Sequence, residues 1–268
     1  MQFSLSLRVD NVYNPGEADE VNMRRINLFH LLKEAGLSLV YLGVESLSDT
    51  QLKRYGKGVR AIDSIKAVET IEAIGIPMEL GYILFDPLLT SSELQENVAW
   101  LTSRSFSQYI GQLFNNLRVQ RDSSFVNLLK SRGLLGNYNP DTIEYSYEYQ
   151  NQFIAEIASI CLMWKDEIDE VYSLARNIQR TEFNNSYCGN FVREMRFLDL
   201  HVLEYLIKSY EVSNIIKLDT TFEKNRFYLV KSLKQGLLSL QFCSSSMRLL
   251  VTATNSFLEK YEDNMVIG

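Results

Sequence analysis

The chain is poor in the residues that cross-link, break or ligate. Three cysteines, Cys161, Cys188 and Cys243, lie far apart in the sequence. They are too few for a disulfide scaffold and point to a reducing compartment, so a cytoplasmic location is expected. The two histidines, His30 and His201, each stand alone on a helical pattern, and no metal site is expected from them. Four prolines leave no Pro-rich linker or low-complexity segment. No run of about 18 apolar residues occurs, so no membrane span is expected. The opening MQFSLSLRVD lacks a charged segment followed by an apolar one, so it does not read as a signal peptide. Basic residues number 27 against 33 acidic ones, a net charge of −6, which argues against a general nucleic-acid binder. Serine-nucleophile, P-loop and dinucleotide-binding signatures are missing, and Gly56-Lys57-Gly58 lacks the other residues of a P-loop.

What is present is an ordinary globular composition, 46% hydrophobic and 22% charged over 268 residues, enough for one large or two small domains. The stretch from Leu39 to Asp86 organises the rest. LVYLGVES, a polar turn, KRYGKG, an amphipathic run and then PMELGYILFDP read as strand, helix, strand: a parallel βαβ unit. In such folds the chemistry gathers at the carboxyl ends of the strands, which here carry Glu45, Ser46 and Asp86.

Before it, residues 2–10 alternate sharply. Phe3, Leu5, Leu7 and Val9 share one face and Ser4, Ser6, Arg8 and Asp10 the other, the pattern of a strand with two unlike faces. A helix is expected over 20–35, a strand over 39–45, helices over 48–55 and 62–74, a strand over 77–85, a helix from Ser91 or Ser92 to about Leu101, a fourth strand over 111–119 and a helix over 122–131. The alternation implies right-handed parallel crossovers. From Tyr145 on, the pattern turns helical, with expected helices over 145–180, 190–210 and roughly 222–261. Domains of 1–136 and 137–268 follow, divided at Gly136 to Pro140. The alternating Tyr145, Tyr147 and Tyr149 suit an interdomain contact or a substrate opening.

AGLSLVYLGVES…LKRYGKG…AIGIPMELGYILFDP resembles the second half of the radical SAM (S-adenosylmethionine) enzyme core, over roughly Phe3 to Leu135. The resemblance implies the last four parallel strands of a partial (β/α) barrel, an incomplete TIM-type barrel, followed by an all-α C-terminal domain. It implies that Glu45 and Ser46 reach the ribose hydroxyls and amino group of S-adenosylmethionine. Lys57 falls at the family's basic position, which meets the cofactor's carboxylate. Gly81 and Ile83 match the strand where the glycine admits the backbone and the isoleucine packs on adenine, with Phe85 replacing that motif's second glycine. Arg8 is the candidate for a cofactor or substrate carboxylate. From strand position alone, Glu45 serves equally as a structural partner of Arg8 or Arg118, and Lys57 as a solvated loop lysine.

The family's CxxxCxxC motif, which holds its [4Fe–4S] cluster, is absent. The expectation is therefore the C-terminal portion of a radical SAM enzyme, inactive alone. Many relatives of this kind carry a cobalamin-binding domain upstream, so cobalamin is possible for the full enzyme. The expected partner is a missing N-terminal half-barrel, or self-association along residues 2–10, whose open strand edge is a liability. The substrate, small molecule or peptide, is not readable. The rival is a non-catalytic, degenerate barrel fragment that acts as an interaction subunit.

Overall fold

The computed structural model describes residues 2–181, 186–213 and 252–259. The chain divides into two compact units between Ala155 and Glu156.

The first unit is α/β. Its main sheet is parallel, in the order β1 (Phe3–Arg8), β2 (Leu37–Glu45), β3 (Met78–Tyr82). The one-turn α1 (Val9–Val12) and α2 (Asp19–Glu34) lead from β1 to β2. Helices α3 (Asp49–Arg54) and α4 (Ala61–Ile74) lead from β2 to β3, and α5 (Ser91–Arg104) follows β3. Period-two patterning becomes burial directly. Ser4, Ser6 and Arg8 are exposed while Phe3, Leu5 and Leu7 are half-buried. On the next strands Val40, Leu42, Val44, Leu80 and Tyr82 point into the core with Ile65, Val68 and Ile71 of α4. Parallel register sets Ser6, Tyr41 and Glu79 side by side on the opposite face, and Arg8, Gly43 and Gly81 in the row beside it.

The expected fourth strand does not form a ladder. Within 105–120, Ile110 and Asn116 each make a single parallel bridge, to Leu80 and Phe85. Asn115 turns the chain between them: its side chain donates to the Gln112 carbonyl at 2.8 Å and its backbone N–H to Leu113 at 2.9 Å. Such local bonds compete with a ladder. Further on, β4 (Val119–Gln120), β5 (Leu135–Asn139) and β6 (Glu144–Tyr147) form a small antiparallel sheet with α6 (Ser124–Ser131) beside it. Leu88, Val119, Phe125 and Leu129 make its core, against which Tyr145 and Tyr147 pack. The tyrosine run thus belongs to the first unit, which extends past residue 136 to Ala155.

Glu93, Asp86 and Arg54 lock α3 to the loop after β3. Thr90 caps α5, one residue before the expected serines, and forms a capping box with Glu93. The same Glu93 carboxylate accepts two bonds from Arg54, at 2.9 and 3.0 Å, and one from Thr50 at 2.6 Å. Asp86, fully buried, accepts from Arg54 at 2.8 Å, Tyr55 at 3.0 Å and Gln51 at 3.0 Å through Oδ2, and from the Leu88 N–H at 2.8 Å through Oδ1. Burial opposes the charge on Arg54, but Glu93 and Asp86 overcome it and hold the guanidinium firmly protonated. Burial also opposes ionisation of Glu93, and the bonds from Arg54 and Thr50 more than offset it.

The second unit, as far as it is described, is helical: α7 (Gln152–Thr181), α8 (Ser186–Ser213) and helical residues 252–259. The rest of the expected helix over 222–261 lies outside the described residues. Ile157, Cys161, Trp164 and Ile168 of α7 and Met195, Leu198, Val202 and Leu206 of α8 are buried. Buried Asp199 accepts from the Trp164 indole at 3.1 Å. Among the described residues no helix is long and apolar enough to cross a membrane.

Two measurements check this account. Asp86→Ala leaves the Arg54 guanidinium without one of its buried counter-charges and should cost about 3–5 kcal/mol in urea unfolding of the first unit. Burial pushes the Asp199 carboxyl up to about 7, against the opposing pull of Trp164 and Arg196. An unfolded Asp titrates near 4, so between roughly pH 4 and 7 the folded state keeps a proton that the unfolded state has lost. Stability from this group is full below about pH 4 and falls as pH rises through 7, by about 1.4 kcal/mol per unit. Asp199→Asn, which can still accept from Trp164, should flatten that slope in unfolding measured from pH 4.5 to 7.5.

Candidate functional site

At the carboxyl end of β2 the ladder slips. Gly43 faces Gly81 and Glu45 faces Tyr82, so Val44 is an extra residue whose side chain turns into the core. This bulge puts Glu45 in the left-handed region at φ 66°. For a residue with a Cβ that conformation costs about 1–2 kcal/mol, and bulges of this kind re-aim a side chain. The Glu45 carbonyl is held by the Ile83 N–H at 2.8 Å. Its carboxylate folds back over Gly43, where a Cβ would stand 2.9 Å from Oε1.

Lys57 meets it there. Gly56, at φ 67°, turns the chain out of α3 in a conformation open to glycine. The Lys57 ammonium donates to Glu45 Oε1 at 2.9 Å, with both side chains about a fifth to a quarter exposed. From β1, Arg8 donates to the Lys57 carbonyl at 2.9 Å and pairs with Asp10 at 3.0 Å. The bond from Arg8 draws the Asp10 carboxyl below its ordinary value. Gly81 sits under the Tyr41 ring, whose edge is 3.3 Å from where a Cβ would project. Half-buried Ile83 follows directly after β3.

The structure therefore brings Arg8, Glu45 and Lys57 into one group, with Gly81 and Ile83 beside it. It does not bring Ser46 there. Ser46 is fully buried, and its hydroxyl bonds Gln51 at 2.6 Å and Asn97 at 3.1 Å while accepting from the Ser48 N–H at 3.0 Å. The bulge that turns Glu45 outward turns Ser46 into this network. Asp86 is likewise taken by Arg54, and Arg118 pairs at the surface with Glu144 instead of reaching Glu45. Cys161 is buried in α7, where burial raises its thiol well above the usual range, and the side chains of Cys188 and Cys243 lie outside the described residues.

The sequence reading passed over Gln51, Arg54, Tyr55 and Asn97. Their signal is weak, because a helix of six residues with a tyrosine after it looks like any exposed turn. Only the Thr90-x-x-Glu93 capping box could have marked one partner. Tyr41 was legible in principle from its alternation with Leu42 and Val44.

Chemically, this is a half-buried cluster beside two facing glycines, with a carboxylate that accepts, an ammonium and a guanidinium that donate, and apolar Ile83 alongside. Such a set suits a zwitterion carrying hydroxyl groups.

Comparison with known proteins follows from this geometry. No family model matches the chain. In sequence it is 38% identical over 102 residues to 4'-phospho-dehydrooxetanocin synthase of Priestia megaterium, covering 38% of this chain and 14% of that protein. In structure it is similar to the cobalamin-dependent S-adenosylmethionine radical enzyme OxsB. The selenomethionine-labelled apo form matches with a TM-score of 0.73 at 18% identity, over 98% of this chain and 46% of that one. The form with aqua-cobalamin and S-adenosylmethionine bound matches with a TM-score of 0.69 at 20% identity, over 100% of this chain and 43% of that one. The chain spans less than half the length of the proteins it matches. The resemblance to radical SAM enzymes thus holds in sequence over part of the chain and in fold over nearly all of it.

The strain at Glu45 is measurable. Glu45→Gly and Glu45→Ala both lose the Lys57 ion pair, but only glycine accepts φ 66° freely. In urea unfolding Glu45→Gly should be the more stable of the two by about 1 kcal/mol.

Proposed function

We propose that this chain is the C-terminal portion of a radical SAM enzyme, contributing S-adenosylmethionine-binding and substrate-side residues to a partial barrel. The observation that carries the proposal is the convergence of Arg8, Glu45 and Lys57 over Gly43 and Gly81. The strained bulge aims a carboxylate over Gly43 toward Lys57 instead of into the core, at an energetic cost that a purely structural pair does not require.

The described residues fit S-adenosylmethionine in donor chemistry. Glu45 would accept from its ribose hydroxyls or amino group, Lys57 and Arg8 would donate to its carboxylate, Ile83 would pack on adenine, and Gly81 would let the backbone approach. They do not fit the [4Fe–4S] cluster: among the described side chains only Cys161 is a thiol, and it is buried. The cluster would be held by thiolates outside this chain. When bound in the full enzyme, S-adenosylmethionine supplies hydrogen-abstraction chemistry through its reductive cleavage. For the whole protein cobalamin is a further proposed cofactor, on the fold likeness alone.

The second reading, a degenerate fragment acting as an interaction subunit, is favoured by one observation. Lys57 already neutralises Glu45, and Arg8 is already paired with Asp10.

Isothermal titration separates the two readings. In an assembly of this chain with the polypeptide that supplies the cluster, S-adenosylmethionine should bind, and Glu45→Ala should weaken binding by roughly 1.5–3 kcal/mol, the scale of a lost hydrogen bond to a charged group. Unchanged binding would return Glu45 to the structural role. Alone, this chain should yield no 5′-deoxyadenosine from S-adenosylmethionine under reducing conditions.

A further inference from the structure

Tyr41 stands on β2, the central strand of the parallel sheet, between fully buried Val40 and Leu42. Strand alternation turns its side chain to the face opposite the core, with Glu79 in its own row and Gly43 and Gly81 in the next. There the residue stays 42% exposed. A ring of this size gains most when it is covered, and parallel sheets are ordinarily covered on both faces. The ring leans across toward β3. Its Cε1 lies 3.3 Å, and the phenol oxygen 3.6 Å, from where a Cβ on Gly81 would stand. Gly43, which faces Gly81 across the ladder, is covered in the same way by the Glu45 carboxylate, 2.9 Å from its own would-be Cβ. Neither glycine has the positive φ that would itself call for one. Both instead give their side-chain space to residues of β2, a phenol ring over one and a carboxylate over the other.

We propose that Tyr41 is a ligand-contacting, specificity-determining residue of this site, its exposed ring packing on the sugar of S-adenosylmethionine, and that Gly81 serves the ligand through Tyr41. This rests on the S-adenosylmethionine reading above and deepens it. A ligand that spans the Glu45 carboxylate and Ile83 passes over Gly81, and the group it meets there is the phenol ring. A carboxylate takes the hydroxyl edge of a sugar by hydrogen bonds, and an aromatic ring beside it takes the apolar C–H face. Together they select a ligand that carries a sugar over the free amino acid, for which Lys57 and Arg8 suffice. Alanine at 81 leaves the fold intact, because the nearest atom it meets belongs to the far end of an exposed side chain. It moves the ring by a few tenths of an ångström, out of the place that fits the ligand.

The test is a set of titrations on the assembly of this chain with the polypeptide that supplies the cluster, with S-adenosylmethionine and free methionine as probes. Tyr41→Ala should weaken S-adenosylmethionine by about tenfold and leave methionine within about twofold, and Tyr41→Phe, which keeps the ring, should bring S-adenosylmethionine back to within about twofold. Gly81→Ala should cost about fivefold with Tyr41 present and less than about twofold with alanine at 41, because the ring it displaces is gone. A fluorinated tyrosine at position 41 should shift its fluorine resonance on addition of S-adenosylmethionine and not of methionine. Circular dichroism checks the fold of each variant, and Gly81→Ala and the fluorine resonance read the contact without removing the ring. An equal cost of Gly81→Ala in both backgrounds would mean direct backbone approach and would overturn the proposal. So would Tyr41→Ala that binds S-adenosylmethionine unchanged, or that loses methionine to the same extent. If Glu45→Ala weakens S-adenosylmethionine while the Tyr41 variants do not, the functional reading stands and this proposal falls. If the unaltered assembly binds no S-adenosylmethionine, both fall.

Discussion

The guanidinium of Arg54, held by two buried carboxylates, is the contact on which the cluster of Arg8, Glu45 and Lys57 depends. It bridges Asp86, at the end of the strand-three segment, and Glu93, at the start of α5, with α3 held between them. A helix of six residues has little stability of its own, since nucleation costs more than so few hydrogen bonds return. The charge network fixes where α3 ends, and with it where Gly56 turns and Lys57 points. Buried ion pairs are poor sources of net stability but strict determinants of geometry once formed. Here they convert an otherwise mobile connection into a fixed platform for an ammonium.

The bulge at Val44 complements that platform from the sheet side. An unbroken ladder would keep the residue after Gly43 and Val44 in step with β3. The slip re-aims Glu45, and glycine at 43 leaves room for its carboxylate. Two glycines facing each other on neighbouring strands keep the floor of this face at backbone height, with Tyr41 as its one large side wall. One and the same slip sends Ser46 inward, where Gln51 and Asn97 consume its hydroxyl. Two adjacent residues with the same family resemblance thus end with opposite fates.

The chain is similar in fold to OxsB and, over 102 residues, in sequence to the Priestia megaterium synthase. The sequence match is stronger in identity but short; the structural match is weak in identity but spans almost the whole chain. Each match spans less than half of the protein matched.

Local chemistry determined much by itself. Alternation placed β1 and its faces, apolar runs bounded by polar turns placed β2 and β3, helical periodicity placed α2, α4 and the helical second unit, and the strand ends located Glu45. The Lys57 position was visible as Gly-Lys-Gly. Register and turn competition were not visible. Residues 111–119 are apolar enough for a strand, yet Asn115 bends them through bonds that span only three residues. Strand β6, read as the start of the helical domain, pairs with β4 residues 24 and 26 positions upstream. The bulge that separates Glu45 from Ser46 arises only when two strands are laid together, because a one-residue slip is a property of a pair. Arg54, Asp86, Glu93, Gln51 and Asn97 are spread over nearly fifty residues, and their bonds exist only after α3, α5 and the loop after β3 meet. Tertiary structure decided these because each depends on long-range neighbours, and period-based reading sees only the residues within a turn or two.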